Sequence, residues 1–274
     1  MNASIPSTPL ECAQAVGRDY LEIAALNARY EILYFGYGEM GLKNAGLEGR
    51  FDQKKVDGCT LFAALPAAMA SGHLTMGQNW DWIVGVQGAL LHTTHGDGFE
   101  SLAFTEAGIF GGKIGFNSAG VGVCISGLVS MDDDWSRPVK PTHLRCYEIL
   151  RSRTFEDAQR IVSEGERACS TNFMIAAAPD QVADFETAPH GVRMLTCVLG
   201  SMAHTNHFVD PAALGITAYV TGITRSRMPT AAAVFAAILA NCDASSPIGL
   251  RARDSSPSAT IAAATTGQNA VNPA

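Results

Sequence analysis

Charge is the first thing this sequence has little of. Only 16% of its 274 residues are Asp, Glu, Lys or Arg, and the formal balance is −7. No stripe of Lys and Arg is present to neutralise phosphates, which argues against a nucleic-acid partner. Long hydrophobic runs are also missing. The longest purely apolar stretch, Ala231 to Ala240, is too short to span a bilayer, so no membrane partner is expected. The seven cysteines are odd in number and include no closely spaced CxxC pair. With no secretory leader at the N-terminus, this reads as an intracellular, cytoplasmic protein with reduced thiols. No GxSxG elbow is present, which disfavours a serine hydrolase of that type. No HExxH is present either.

What is there is enough apolar sequence, 47% of the chain, for one sizeable core. Residues 1–9 are polar and proline-containing, and fraying is expected there. Asp19 followed three residues later by Glu22 predicts a helix start, with Ile23, Leu26, Tyr30 and Leu33 at helical spacing up to about Phe35. Gly36-Tyr37-Gly38-Glu39-Met40-Gly41 matches GxGxxG. A helix precedes it and a polar loop follows, the wrong context for a dinucleotide site. From residue 59 onward, short apolar or alternating runs over 60–65, 73–79, 83–93, 101–109 and 113–129 read as strands. Helices are expected over 142–164, the second starting at Thr154, and over 229–241. Strands return at 171–178, 182–187, 191–198 and 201–209. Beyond Ser245 the composition turns to Ser, Ala, Thr, Gly and Pro, which predicts a disordered tail over 246–274. This order of elements predicts an α+β layered sandwich.

Asp57-Gly58-Cys59-Thr60 is the stretch with chemistry in it. A cysteine follows a glycine at the start of an apolar strand. In one reading Cys59 is a small buried hydrophobe. In the other its thiol attacks the Gly58 carbonyl, the glycine tolerating the strained backbone this requires. Hydrolysis of the thioester leaves Cys59 as a new N-terminus, whose α-amine serves as base to its own thiol. Gly77-Gln78-Asn79-Trp80-Asp81-Trp82 is a second dense cluster. Asp81 either caps a turn or orients the cysteine and the scissile peptide. Asn206 lies in His204-Thr205-Asn206-His207, and is either a turn residue or an oxyanion donor. That segment and His92-Thr93-Thr94-His95 are both HxxH, a pattern compatible with zinc. On a strand, however, alternation sends such histidines to opposite faces, so no metal is expected.

Five motifs then occur in an order that resembles one family: Asp57-Gly58-Cys59-Thr60, Gly77-Gln78-Asn79-Trp80-Asp81, Phe104-Thr105-Glu106-Ala107-Gly108, Gly115-Phe116-Asn117-Ser118-Ala119-Gly120-Val121 and His204-Thr205-Asn206-His207. They are similar to those of the acyl-CoA:6-aminopenicillanic acid acyltransferase family, the isopenicillin N acyltransferases. Leu26-Asn27-Ala28-Arg29-Tyr30-Glu31 resembles that family's helix upstream of the cut. Together the motifs span roughly residues 10–210. The resemblance implies an N-terminal nucleophile (Ntn) hydrolase fold, a four-layer αββα sandwich, here lacking part of both termini. It implies autocatalytic cleavage between Gly58 and Cys59, an α-chain or propeptide remnant over 1–58 that stays bound, and a catalytic β-chain over 59–245. The nucleophile falls on Cys59, the assisting aspartate on Asp81 and the oxyanion asparagine on Asn206. The partners implied are a small acyl donor and an acceptor, with an N-acyl amide or an acyl-thioester such as acyl-CoA as substrate and no cofactor. Arg251 stands near the place of a family arginine. The family's C-terminal peroxisomal signal is not matched by Asn272-Pro273-Ala274. The alternative reading is an inactive, truncated relative kept as a binding protein, or a non-functional gene product.

Overall fold

The computed structural model describes residues 8–32, 59–80, 86, 88–134 and 137–218, and the backbone of 260–264. Gly58, Asp81, the GxGxxG stretch, Arg251 and the helix expected over 229–241 lie outside the described residues.

The chain opens with two short helices, α1 (Pro9–Val16) and α2 (Tyr20–Asn27). The first was not anticipated. Its signal is Thr8-Pro9-Leu10-Glu11: the Thr8 hydroxyl accepts from the Glu11 N–H at 3.1 Å, and the Glu11 carboxylate accepts from the Thr8 N–H at 3.1 Å, a complete capping box with proline at the first turn. Asp19 caps α2, accepting from the Leu21 N–H at 2.7 Å. The helix breaks at Ala28, and a further helical turn covers 29–32.

Two sheets follow. The smaller is built from β1 (Thr60–Ala64), β2 (Thr75–Asn79), β10 (Ser201–His204) and β11 (Thr260–Ala264), in the order β10-β1-β2-β11. The larger has seven strands in sequence order: β3 (Gly88–Thr94), β4 (Glu100–Glu106), β5 (Ile114–Asn117), β6 (Val121–Gly127), β7 (Thr171–Ala177), β8 (Gln181–Ala188) and β9 (Gly191–Leu195). All its pairings are antiparallel. The run expected as one strand over 113–129 is a hairpin. Asn117 Oδ1 accepts from the N–H groups of Ala119 and Val121, both at 3.0 Å, and Gly120 takes φ 84°. The side chain closes the turn and the glycine supplies the left-handed residue. The stretch expected to be a disordered tail also departs from expectation. Within it, 260–264 pairs in parallel with β2. Thr-Ile-Ala-Ala-Ala is apolar, and β2 offers an open row of backbone donors and acceptors to receive it.

Helices α3 (Thr142–Leu150) and α4 (Phe155–Ser163) pack on β5 to β8. Thr154 caps α4, accepting from the Asp157 N–H at 3.1 Å. Ala158 and Val162 are buried against the sheet, with Phe155 and Ile161 packed beside them. β6 and β7 are buried on both faces, because helices cover one side and the small sheet the other. The fold is thus α+β: a helix layer, a seven-stranded sheet and a four-stranded sheet, with the core of Leu61, Met76, Val123, Ile149, Ile175 and Phe185 between them. No helix among the described residues is long and apolar enough to cross a membrane.

Gln78 clasps the two sheets together. Its Nε2 donates to the Ile125 carbonyl at 2.7 Å, and its Oε1 accepts from the Ile125 N–H at 3.0 Å. One buried amide therefore satisfies both backbone groups of a residue on the opposite sheet, as burial of those groups requires.

Candidate active site

Cys59 immediately precedes β1 and is buried. Two strand registers determine its neighbours. Leu61 pairs with His204 in the β1–β10 ladder, so continuing the register sets Cys59 opposite Asn206. Thr60 pairs with Asn79 in the β1–β2 ladder, which sets Cys59 opposite Trp80. The Cys59 backbone N–H donates to Asn206 Oδ1. The other end of that amide, Nδ2, donates to the Gly127 carbonyl at 3.1 Å. The amide orientation is thereby determined: a carbonyl can only accept, so the nitrogen faces Gly127 and the oxygen faces Cys59. Next to it, the Ser126 hydroxyl donates to the Thr205 carbonyl at 3.0 Å. The end of β6 thus holds the segment carrying Asn206 against the start of β1.

On the other flank lies a buried ionic cluster that the sequence reading missed. Lys113 bonds Glu106, and Glu106 also pairs with Arg29. The Lys113 ammonium stands 4.0 Å over the Trp80 ring, which packs in turn against Phe104 with centroids 4.9 Å apart. Arg29 and Lys113 thus share the single carboxylate of Glu106. Desolvation, with the Arg29 charge beside it, lowers the Lys113 pKa to about 7, the nearby Cys59 and Cys146 thiols acting in the opposite sense. His143 from α3 faces the same cluster. Burial first, then the Lys113 and Arg29 charges, lower its pKa to about 3. It is therefore a neutral ring, packed edge-on to Tyr30 with centroids 6.2 Å apart. Glu106 belongs to a motif that sequence reading singled out. Arg29 and Lys113 lie 77 and 7 positions from it, and their convergence is a product of the fold.

The segment 27–31 is bound to the body of the protein through each of its polar side chains. Asn27 Nδ2 donates to the Ile23 and Gly108 carbonyls at 2.9 and 2.8 Å, and its Oδ1 accepts from the Phe110 N–H at 2.8 Å. The Tyr30 hydroxyl donates to the Ser170 carbonyl at 3.0 Å. Glu31 accepts from the Thr142 N–H at 2.6 Å, at the first turn of α3, where a carboxylate also suits the helix dipole.

The two HxxH segments lie on different sheets: His92 is on β3 and His204 on β10. His92 is exposed, 3.7 Å from Glu100. His204 is buried against Glu186 and Asp184 of β8, at 3.0 and 3.8 Å. The HxxH pattern marks His204 only as a candidate zinc ligand and gives no sign of these partners, which lie in another strand. Among the described residues no cluster of His, Cys, Asp or Glu is arranged to hold a metal ion.

Comparison with known proteins shows the family of the chain. Residues 68–248 match the family described as acyl-coenzyme A:6-aminopenicillanic acid acyl-transferase. The matched span starts beyond Cys59. The acyl-coenzyme A:6-aminopenicillanic-acid-acyltransferase 40 kDa form of Emericella nidulans is 33% identical over 201 residues, covering 71% of this chain and 49% of the relative. The chain thus spans about half the length of the curated relative it matches. Among solved structures, the Caenorhabditis elegans ortholog of N-acylethanolamine-hydrolyzing acid amidase aligns with TM-score 0.46 and 14% identity, over 55% of this chain and 70% of that one. A mutant conjugated bile acid hydrolase from Clostridium perfringens aligns with TM-score 0.44 and 10% identity, over 70% and 76%. On the family match and the sequence identity, the chain belongs to the acyl-coenzyme A:6-aminopenicillanic acid acyl-transferase family.

Proposed function

We propose that this protein is a cysteine N-terminal nucleophile enzyme. It cleaves itself between Gly58 and Cys59, then removes or transfers the acyl group of an N-acyl amide or an acyl-thioester such as acyl-CoA. The observation that carries the reading is the Asn206 amide, held between the Gly127 carbonyl and the Cys59 backbone nitrogen. That nitrogen is the atom that becomes the α-amine.

In the first stage the Cys59 sulfur attacks the Gly58 carbonyl carbon. The new S–C bond replaces the C–N bond, and the thiol proton passes to the departing Cys59 nitrogen. Water then hydrolyses the thioester to a Gly58 carboxylate and a free Cys59. Asp81, outside the described residues, is assigned the holding of cysteine and peptide during this step. In the second stage the α-amine, with an unperturbed pKa of roughly 7.7–8.0, takes the thiol proton. Asn206 Oδ1, already facing that nitrogen, orients the amine. The sulfur attacks the substrate acyl carbon. An amide –NH2 carries two donors; one goes to Gly127, and the second is the oxyanion donor of this proposal. The leaving amine or thiolate departs with the proton, and water or an amine takes the acyl group from Cys59. The Lys113 side chain of the Arg29–Glu106–Lys113 cluster lies near enough to Cys59 for the two to interact electrostatically. The contacts of Asn27, Tyr30 and Glu31 would keep the severed N-terminal piece in place as the protein's own partner chain.

The test is acylation. Processed protein is incubated with a panel of acyl-CoA and N-acyl amino acid substrates, and the fragment starting at Cys59 is weighed. A mass gain of one acyl group, mapped to Cys59 and lost in Cys59→Ala, supports the reading. Processed protein with no acylation and no turnover across the panel favours a catalytically silent relative.

A further inference from the structure

The buried histidine of the Asn206 segment has a protonation state fixed by its surroundings. His204 ends β10 and is 1% exposed. Its Nδ1 lies 2.6 Å from the Thr205 carbonyl oxygen and its Nε2 lies 3.0 Å from Glu186 Oε1. A carbonyl oxygen only accepts, so Nδ1 carries a hydrogen. Glu186 Oε1 already accepts from the Val209 N–H, and Arg193 stands 3.7 Å from its other oxygen. With Oε1 acting as the acceptor of the Val209 N–H, Nε2 is the donor toward it and carries a hydrogen too. A neutral imidazole has only one N–H. The geometry requires the doubly protonated ring.

The same contacts control the segment on which Asn206 sits. Glu186 gathers donors from His204 and Val209, the residues on either side of 205–208. The Thr205 carbonyl gathers donors from His204 and from Ser126 of β6. Thr205 Oγ1 also lies 2.8 Å from His207 Nδ1. Asn206 stands in the middle. We propose that His204 acts as an imidazolium positioning residue: by bridging the Glu186 carboxylate and the Thr205 carbonyl, it fixes the turn from which Asn206 presents its amide to Cys59. This rests on the reading of Cys59 and Asn206 as the reacting site.

The groups around the ring come from four elements. Asp184 and Glu186 project from β8, with Asp184 at 3.8 Å. Asn172 of β7 donates to Asp184 at 2.7 Å. Arg193 of β9 faces Glu186. The His207 ring stacks on His204 with centroids 6.4 Å apart. Cys124 of β6 lies close by, and burial first, with the Asp184 charge adding to it, pushes its thiol well up, so it stands there as a neutral group. Burial disfavours the charged imidazole, but the Asp184 charge and the Glu186 and Thr205 bonds outweigh it, and the His204 pKa is raised above its ordinary value. Burial pushes Asp184 up to about 6, against the opposing pull of His204 and Asn172; it is still ionised at neutral pH. The sign follows. The bridge is complete below the raised His204 pKa. It loses one hydrogen bond as pH rises through that value.

Two measurements test this. In the first, the protein is labelled at the imidazole nitrogens, and the ring of His204 is assigned by through-bond correlation to its own backbone amide. At pH 7.5 both ring nitrogens of His204 should carry protons. A His204 ring with a single N–H at pH 7.5 overturns the proposal. The second uses processed enzyme. His204→Gln has one donating nitrogen, uncharged, where the imidazolium has two on opposite sides of the ring, and should lower kcat by about 10²-fold, the scale of an ångström-sized misplacement. It should remove the alkaline fall of kcat that titration of His204 causes. A variant with wild-type kcat and pH profile would also overturn the proposal. The nuclear resonance arm needs no substrate. A doubly protonated His204 in a protein that never acylates would sink the enzymatic reading and leave the imidazolium assignment standing.

Discussion

His143 makes the stability of this protein depend on pH in a calculable way. The ring is 3% exposed, and its Nδ1 donates to the Asn27 carbonyl at 3.3 Å. Burial, with Lys113 and Arg29 nearby, holds the folded pKa at about 3, against roughly 6.5 in the unfolded chain. A folded pKa below the unfolded one means stability that is full above pH 6.5 and lost as the pH falls toward 3. At pH 4.5 the unfolded ring has been protonated over about two units while the folded ring has not. At ~1.4 kcal/mol per unit, the loss relative to pH 7.5 is about 3 kcal/mol. The assay is urea denaturation of the wild type and of His143→Gln, which keeps a donor for the Asn27 carbonyl but does not titrate. Burial raises Asp133 and Glu31, and their contributions run the other way, but they cancel in the difference between the two proteins. The wild type should lose about 3 kcal/mol more than the variant between pH 7.5 and 4.5. Equal pH dependence in the two would refute the picture of a neutral His143 locked against the Lys113 cluster.

Three further outcomes are expected. Gln78→Ala leaves both backbone groups of Ile125 without their partner inside the core, and should cost about 2–4 kcal/mol by denaturation; a loss under 1 kcal/mol would mean the two sheets do not depend on that clasp. Asn27→Ala removes the two side-chain hydrogen bonds, to the Gly108 carbonyl and the Phe110 N–H, that tie α2 to the body, so after cleavage the piece ending at Gly58 should be lost on gel filtration; its full retention would place the binding energy elsewhere. Asn206→Ala should cut turnover by roughly 10²–10³ while permitting cleavage, and Asp81→Asn should slow the cleavage itself. Equal processing defects in both variants would show that one site serves both reactions.

Much of this was legible because the determinants were local. Thr154 before Phe155-Glu156-Asp157 predicts α4 and its cap. The Pro179-Asp180 turn between apolar runs predicts the β7–β8 hairpin. Gly58-Cys59 before an apolar run places Cys59 at the head of β1. The failures have equally physical reasons. Asn117 hides a turn inside a continuous apolar run, because one side chain bonding two N–H groups leaves no break in hydrophobicity. The strand at 260–264 was obscured by a low-complexity setting and depends on a partner far away in sequence. His204 was read with His207, three residues on, whereas its chemistry comes from Asp184 and Glu186 on the neighbouring sheet. Arg29, Glu106 and Lys113 carry no shared signature, and only tertiary packing brings them together beside Trp80.

The central claim is that Cys59 becomes a free N-terminus, and the mass of the purified protein tests it most directly. The protein is unfolded, its fragments are weighed, and the N-terminus of the larger one is sequenced. The account predicts a fragment that begins Cys59-Thr60-Leu61, and an uncut chain for Cys59→Ala. A folded wild-type sample that remains uncut, or is cut at any other bond, would contradict it.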